Sequence, residues 1–250
     1  MKLFVFTGPS LPPRLACRHW NNPTYLPPVA QGDVYQIARR KPWGIGIIDG
    51  LFERLPAVWH KEILWALTRG IRVYGSASMG ALRAAELAPF GMIGVGSIFE
   101  AYANGAIEDD DEVTLAHASG GRDYRPASEA MVNIRCTLGK AVREGILLAA
   151  TGERLMQIAK SLFYPYRTYD RILDEGRGQL PEPELSNLLE WLPGSRVDQK
   201  RLDAMAMLDR MREDLHSGLP RKKANFSVEN TVFWHRARRA ASARPRRRTI

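Results

Sequence analysis

The sequence has few cysteines and no long apolar run. Its two cysteines, Cys17 and Cys136, lie far apart and lack metal-like spacing, so we expect neither a disulfide framework nor a zinc site. No apolar stretch approaches the roughly 20 residues that a membrane-spanning helix needs. The apolar segment at residues 2–7 is too short for a signal peptide and is typical of a strand. We therefore expect a cytoplasmic protein without a membrane segment.

Acidic residues are absent from the C-terminal segment 236–250. This segment holds seven arginines, and without them the formal net charge of +9 falls to +2 for the preceding 235 residues. The body of the chain is therefore nearly neutral, and the basic segment has the composition of a disordered tail. Aromatic residues, on which bases stack, are absent after Trp234. We expect a solvating tail that could contact an acidic partner, and no specific recognition of nucleic acid.

Short apolar runs alternate with helical patterns over the first part of the chain. Runs with the composition of buried strands occupy residues 2–7, 44–50 and 71–74. This alternation predicts an α/β fold, with a mostly parallel sheet and flanking helices in a Rossmann-like core.

The residue pattern of the sequence changes after residue 150. Strand-like runs disappear, and helical segments alternate with proline and glycine. We therefore predict a core over residues 1–150, a helical C-terminal extension over 151–235 and a basic, disordered tail over 236–250.

The stretch from Ile71 to Leu87 predicts a strand, a tight turn and a helix, with Ser78 in the turn. The Ser78 hydroxyl would lie beside the unpaired N–H groups that begin a helix. The sequence Ser78-Met79-Gly80 matches the end of the nucleophile-elbow pattern G-x-S-x-G, although Ser76 occupies the position of its first glycine. Ser78 is thus a candidate nucleophile, and a simple N-cap remains the alternative.

Lys61 lies in a predicted helix over residues 56–69, and Val58, Leu64 and Trp65 share its face. Burial among such side chains disfavours the ammonium and lowers the pKa of a lysine, which suits a general base. The alternative is a lysine whose stem is buried and whose charged end reaches water.

Two polar residues follow predicted strands. Ser10 comes after the first strand and Asp49 after the second, where open α/β sheets bind their ligands. Ordinary turn roles remain open for both. The acidic run 108–112 is a weaker candidate, because five adjacent carboxylates cannot converge on one ion. We expect it to be a solvated loop, and we predict no metal site.

Several long motifs occur in the order found in one protein family. They are Phe6–Leu11, Gln31–Tyr35, Ile47–Phe52, Val58–Leu64, Gly75–Leu87, Gly91–Glu112 and Ser128–Asn133. About the first 145 residues therefore resemble the TfuA-like family. The resemblance implies an accessory protein of peptide thioamidation, acting beside a YcaO enzyme that activates a backbone amide with ATP. It also implies that the protein hydrolyses the thiocarboxylate of a small ThiS-like carrier and so supplies sulfide.

The resemblance further implies a Ser–Lys pair, which Ser78 and Lys61 match in this sequence. A thiocarboxylate is an acyl group with HS⁻ as its leaving group, so the reaction is acyl transfer to water. Lys61 would take the proton of Ser78, and the backbone N–H of Met79 or Gly80 would bind the oxyanion. No cofactor is expected.

The remaining site residues have supporting roles in this hypothesis. Ser10 and Asp49 would position the end of the carrier or orient Lys61. Ser76 is a second hydroxyl near the site, which leaves open which serine acts.

Two other functions remain possible from the sequence. A non-catalytic adaptor would dock the YcaO enzyme to its peptide, with Ser78 as a cap. A nucleotide-binding α/β protein would place Gly8 and residues 78–80 near phosphates, but no G-x-x-x-x-G-K-[ST] or G-x-G-x-x-G pattern follows a strand.

Overall fold

The computed structural model describes residues 1–50, 56–117, 126–218, 220 and 224–243. The chain divides into two compact units, which we describe separately. The first comprises Met1–Glu108 and Lys200–Ile250, and the second comprises Asp109–Gln199.

The first unit is built on a parallel sheet. Its strands are β1 (Leu3–Phe6), β2 (Thr24–Leu26), β3 (Gly44–Ile47), β4 (Arg72–Gly75) and β5 (Ile93–Gly94). They lie in the order β2-β1-β3-β4-β5, and each neighbouring pair is parallel. The strand order therefore reverses between β1 and β3, as in flavodoxin-like sheets. The predicted α/β class with flanking helices is confirmed.

Alternate residues of the strands pack on opposite faces of the sheet. One face carries Phe4, Ile45 and Val73 and is covered by α2 (Asp33–Ala38), α3 (His60–Thr68) and α4 (Met79–Leu87). The other face carries Leu3, Val5 and Tyr74 and is covered by α1 (Pro13–His19) and α10 (Gln199–His216). Because both faces are buried, β1 and β3 are apolar throughout, and the charged residue of β4, Arg72, lies at its first position.

Helix α10 belongs to the core of the sheet unit. Its buried stripe of Ala204, Met207, Leu208 and Met211 packs against the sheet. A Cβ on Gly46 would lie 2.9 Å from the Met207 Cε and 3.0 Å from the Met211 Sδ, so the strand is glycine where the helix comes closest. The structure thus places α10, which lies in the second half of the predicted extension 151–235, in the same unit as the sheet.

Helix α11 (Val232–Ala243) also belongs to this unit. Trp234 is buried and meets the Tyr35 ring edge-on, with 5.5 Å between ring centroids. The Gln36 side chain donates a hydrogen bond to the Ala241 carbonyl. The structure therefore differs from the predicted tail, since residues 236–243 are helical. Alanine-rich sequence and one buried aromatic anchor outweigh the charge, and residues 244–250 lie outside the described part of the chain.

The second unit is helical. It contains α6 (Met131–Arg143), α7 (Ala149–Ser161), α8 (Tyr169–Gly176) and α9 (Glu182–Ser195), whereas α5 (Ser97–Ala103) lies in the first unit. Leu138, Leu155 and Leu188 are among the residues at the centre of its core. The predicted helical character of this part of the chain is confirmed.

The acidic run is not simply solvated. Glu112 is buried and bonds to Arg135 and Lys160, each at 2.9 Å, and Asp111 bonds to the buried Arg167. Burial raises the pKa of the Glu112 carboxyl, but hydrogen bonds from Arg135 and Lys160 outweigh it and lower the pKa below its usual range. The carboxylates thus belong to an ion network that holds the second unit together.

The described residues contain neither a metal-binding cluster nor a membrane-spanning helix. No group of three or more His, Cys, Asp and Glu residues is arranged to hold a metal ion there. In the same part of the chain, the helices are too short or too polar to cross a bilayer.

Candidate functional site

The candidate site lies at the carboxyl end of the sheet. The segments that leave β1, β3 and β4 there carry Ser10, Asp49 and Ser78, respectively. In an open parallel sheet, the crevice for a ligand forms at this edge, next to the point where the strand order reverses. That point lies between β1 and β3, and so between Ser10 and Asp49.

Ser10 and Asp49 are in direct contact. The Ser10 Oγ donates to the Asp49 Oδ1 at 2.6 Å, and the Ser10 N–H donates to Oδ2 at 3.0 Å. The Gly8 N–H provides a further hydrogen bond to this carboxyl group. The loop after β1 therefore fixes the orientation of the Asp49 side chain.

Asp49 has an unusual electrostatic environment, because its side chain is only 1% exposed. Burial raises the pKa of its carboxyl, while the charge of Lys200 and the hydrogen bonds from Ser10 and Gly8 act in the opposite direction. Lys200 lies in the first turn of α10 and is itself only 2% exposed. The structure thus brings together Ser10, Asp49 and a buried lysine that was not a sequence candidate.

The turn between β4 and α4 is strained. Ala77 has a φ of +65°, and the Ser78 N–H donates to the Ser76 carbonyl at 2.7 Å. This three-residue pattern is that of a γ-turn with positive φ, which is rare for a residue with a side chain. Such strain persists only where the surrounding structure enforces it, as it often does at functional sites.

Two glycines allow the turn to pack against β3. A Cβ on Gly75 would lie 2.1 Å from the Gly80 carbonyl oxygen, and a Cβ on Gly80 would lie 1.8 Å from the Ile47 carbonyl oxygen. Neither position can hold a larger residue without moving backbone. The glycine after Ser78-Met79 is therefore required by close packing between α4 and β3.

The side chain of Ser78 does not cap α4. Ser78 is the N-cap residue, and its carbonyl accepts the Ala81 and Leu82 N–H groups. Its hydroxyl makes no capping hydrogen bond, and no described residue bonds to it, although Ser78 is only 2% exposed. The simple capping role is thus not what the geometry shows, and the hydroxyl is free to act on a ligand.

The two expected oxyanion donors differ in their availability. The Gly80 N–H donates to the Ile48 carbonyl at 3.2 Å. The Met79 N–H has no hydrogen-bond partner among the described residues and points out of the first turn of α4. Of the two groups, the Met79 N–H is the one left to bind an oxyanion.

Ser76 is slightly more buried than Ser78. It is completely buried at the end of β4, and its Oγ has no hydrogen-bond partner within the described residues. An unpaired buried hydroxyl is destabilising. Ser78 keeps an exposed fraction of 2%, whereas Ser76 has none.

Lys61 forms its hydrogen bonds with residues that precede α11. It lies in the first turn of α3 and is partly exposed. Its Nζ donates to the Glu229 carbonyl at 3.3 Å and to the Thr231 Oγ1 at 3.1 Å. Within the described residues, no hydrogen bond joins Lys61 to Ser78. The structure therefore does not bring the predicted pair together by direct contact.

The neighbouring Glu62 explains part of the motif around Lys61 in structural terms. Its buried carboxylate accepts the Gly32 N–H at 2.7 Å and the Tyr35 N–H at 3.2 Å. It therefore joins the start of α2 to α3. Burial raises the pKa of Glu62 to about 7, although the backbone hydrogen bonds act against this.

Lys200 could have been found in the sequence. The buried positions 204, 207, 208 and 211 form a helical stripe, and Lys200 lies four residues before its first member. A lysine on the apolar stripe of a helix is a candidate for a buried charge. The high content of charged residues on the other faces of α10 obscures this signal.

The middle of the chain matches the model of a known protein family. Residues 49–168 match the family model described as TfuA-like protein. Over this range the chain is similar to TfuA-like proteins. The matched range includes Ser78 and Lys61, but it excludes Ser10 and Lys200. No curated protein sequence matches the chain.

TfuA-like proteins are associated with thioamidation that depends on YcaO enzymes. This association gives the family context of the site. The motifs at Phe6–Leu11 and Gln31–Tyr35, which also carry the resemblance, precede the matched range.

Proposed function

We propose that this TfuA-like protein hydrolyses a thiocarboxylated ThiS-like carrier and releases sulfide for a partner YcaO enzyme during peptide backbone thioamidation. The observation that carries the proposal is the Ser78 hydroxyl. It is nearly buried, lacks a partner among the described residues and lies on a strained turn beside the free Met79 N–H. A reactive hydroxyl next to a helix N-terminus suits nucleophilic attack on an acyl group.

The reaction proceeds in two acyl-transfer steps. The Ser78 Oγ attacks the thiocarboxyl carbon while its proton passes to a base, and the Met79 N–H stabilises the oxyanion. The base then gives this proton to the departing sulfur, the C–S bond breaks, HS⁻ leaves, and the carrier remains attached to Ser78 as an ester. Water hydrolyses this ester, which regenerates the serine and leaves a carboxylate on the carrier.

A lysine completes the pair that the family resemblance implies. Lys61 lies within the matched range, whereas Lys200 is buried beside Asp49. Either lysine gives the same net reaction. Ser10 and Asp49 would position the end of the carrier or hold the lysine in place.

The test measures sulfide release from a thiocarboxylated carrier. We expect Ser78→Ala to abolish most of the release while thermal stability is retained, because the free hydroxyl makes no contact that supports the fold. The matched control is Ser217→Ala, since the exposed Ser217 hydroxyl bonds only to the carbonyl one turn earlier, that of Glu213. Sulfide release at the wild-type rate by Ser78→Ala would favour the alternative of a non-catalytic adaptor.

We also propose that the protein helps the YcaO enzyme to engage its peptide. This second role does not need the hydroxyl of Ser78. Titration of the YcaO enzyme with its peptide should therefore show tighter binding in the presence of either the wild-type or the Ser78→Ala protein. An unchanged affinity with both proteins would contradict this role.

A further inference from the structure

We infer that Lys200, at the start of α10, is the general base of the proposed site, and that Lys61 has a structural role. The inference rests on the proposed function, and it assigns a residue that lies outside the range matched by the family. Three observations support it: the burial of Lys200, its level along the sheet and the different contacts of Lys61.

The first observation is that Lys200 and Asp49 are buried together. Burying an isolated ammonium is costly, so a lysine in such a place needs a nearby opposite charge. Asp49 provides one, and Ser10 holds its carboxylate through two hydrogen bonds.

The second observation concerns where Lys200 lies along the sheet. Met207 packs at Gly46 in β3. Lys200 precedes Met207 by seven residues, which is about 10 Å of helix. Asp49 follows Gly46 by three residues, which is about 10 Å of extended chain. Asp203 accepts the Ile98 N–H beyond the end of β5, so α10 runs antiparallel to the strands. The packing of Met207 therefore brings Lys200 level with Asp49, beyond the carboxyl end of β3.

The same edge carries the proposed nucleophile. The Gly80 N–H donates to the carbonyl of Ile48, the residue before Asp49. A Cβ on Gly50, the residue after Asp49, would lie 2.9 Å from the Met79 Cγ. The turn that carries Ser78 therefore packs directly against the segment that carries Asp49.

These positions give each group a role. As the general base, Lys200 in its amine form would accept the proton of Ser78. The Asp49 carboxylate then stabilises the ammonium that forms, as the acid does in a Ser–His–Asp triad. Ser10 keeps the carboxylate in position and acts as a positioning residue.

The third observation is that Lys61 has another role. Its two hydrogen bonds go to Glu229 and Thr231, just before α11 begins. Thr231 in turn accepts the Trp234 N–H at 3.2 Å. Lys61 therefore fastens the start of α11 to α3.

The experiment compares the two lysines with matched substitutions. We expect Lys200→Met to lower kcat/KM for the thiocarboxylated carrier by 10²- to 10⁴-fold, mainly through kcat, because general-base catalysis contributes about this much. Lys61→Met should stay within a few-fold of wild type. A small primary amine added to Lys200→Ala should restore part of the rate, because it can supply the missing base.

A stability measurement tests the buried pair without relying on activity. Lys200→Met leaves Asp49 without its charge partner, so it should lower the melting temperature. Adding Asp49→Asn removes the stranded charge and should restore part of the loss. A double variant no more stable than Lys200→Met would show that the two residues are not coupled and would overturn the pairing.

The kinetic outcomes separate this inference from the proposed function. Near-wild-type sulfide release by Lys200→Met, or a large loss in a folded Lys61→Met protein, would overturn the inference while Ser78 remains essential. Lys61→Met alters a partly exposed side chain, so it should fold even if Lys200→Met does not. Normal release by Ser78→Ala would instead refute the proposed function itself.

Discussion

Gly80→Ala is the most severe small substitution that the structure predicts near the site. An added Cβ would lie 1.8 Å from the Ile47 carbonyl oxygen, whereas real Cβ atoms essentially never approach another heavy atom within 3.0 Å. The added Cβ is fixed to the backbone of Gly80 and the oxygen belongs to the backbone of Ile47, so no rotation of a side chain can relieve the clash. Helix α4 would have to move away from β3 by about 1 Å.

The free energy of unfolding should fall by about 2–4 kcal/mol. Overpacking of a well-packed core costs about 1–3 kcal/mol, and the movement also weakens the hydrogen bond from the Gly80 N–H to Ile48, worth about 1 kcal/mol. The substitution should also reduce sulfide release in any folded fraction, because the Met79 N–H and Ser78 move with the helix. A misplacement of about 1 Å can cost on the order of 100-fold in rate.

Gly44→Ala is the matched control in the same unit. Its added Cβ would lie 3.4 Å from the Leu3 Cδ2, which is an ordinary contact. Urea unfolding and sulfide release should therefore change little for Gly44→Ala and strongly for Gly80→Ala. If Gly80→Ala unfolds at the same urea concentration as wild type, the close approach of α4 and β3 described above is wrong.

Two further predictions concern α11 and the joint between α2 and α3. Trp234→Ala should lower the free energy of unfolding by about 3 kcal/mol because the ring is buried, whereas Phe233→Ala should be nearly neutral because Phe233 is 73% exposed; equal melting temperatures would show that α11 is not packed. Glu62 has a pKa raised from 4.5 to about 7 in the folded protein, so the folded state binds the extra proton. Its contribution should be most favourable below pH 4.5 and should fall by about 3 kcal/mol as the pH rises to 7, and Glu62→Gln should remove this dependence from urea unfolding curves measured between pH 4.5 and 8.

The fold was predictable from the sequence because its signals are local. Buried strands are short apolar runs, and β1, β3 and β4 stand out for this reason. The strand–turn–helix at Ser78 follows from a β-branched run, small residues and strong helix formers. These features depend on neighbours in the chain, so a single sequence contains them.

The role of α10 was not predictable in the same way. It holds as many charged residues as apolar ones, and what decides its place is the fit of Met207 and Met211 over Gly46, far away in the sequence. The pairing of Lys200 with Asp49 depends on the same fit. Contacts between distant parts of a chain leave little trace in local patterns, so Lys61, which lies in a strong local motif, is the more visible lysine.

The C-terminal part of the sheet unit is therefore part of the candidate site. Ser78 and its strained turn come from β4 and α4, the oriented Asp49 carboxylate follows β3, and Ser10, which bonds to it, comes from the loop after β1. Helix α10 adds a cation, Lys200, that is buried beside that carboxylate. Because Met207 and Met211 place α10 on the sheet, their packing also sets the position of Lys200, about 10 Å away along the helix. A site assembled in this way depends on the whole sheet unit, including segments at both ends of the chain that the family match does not reach.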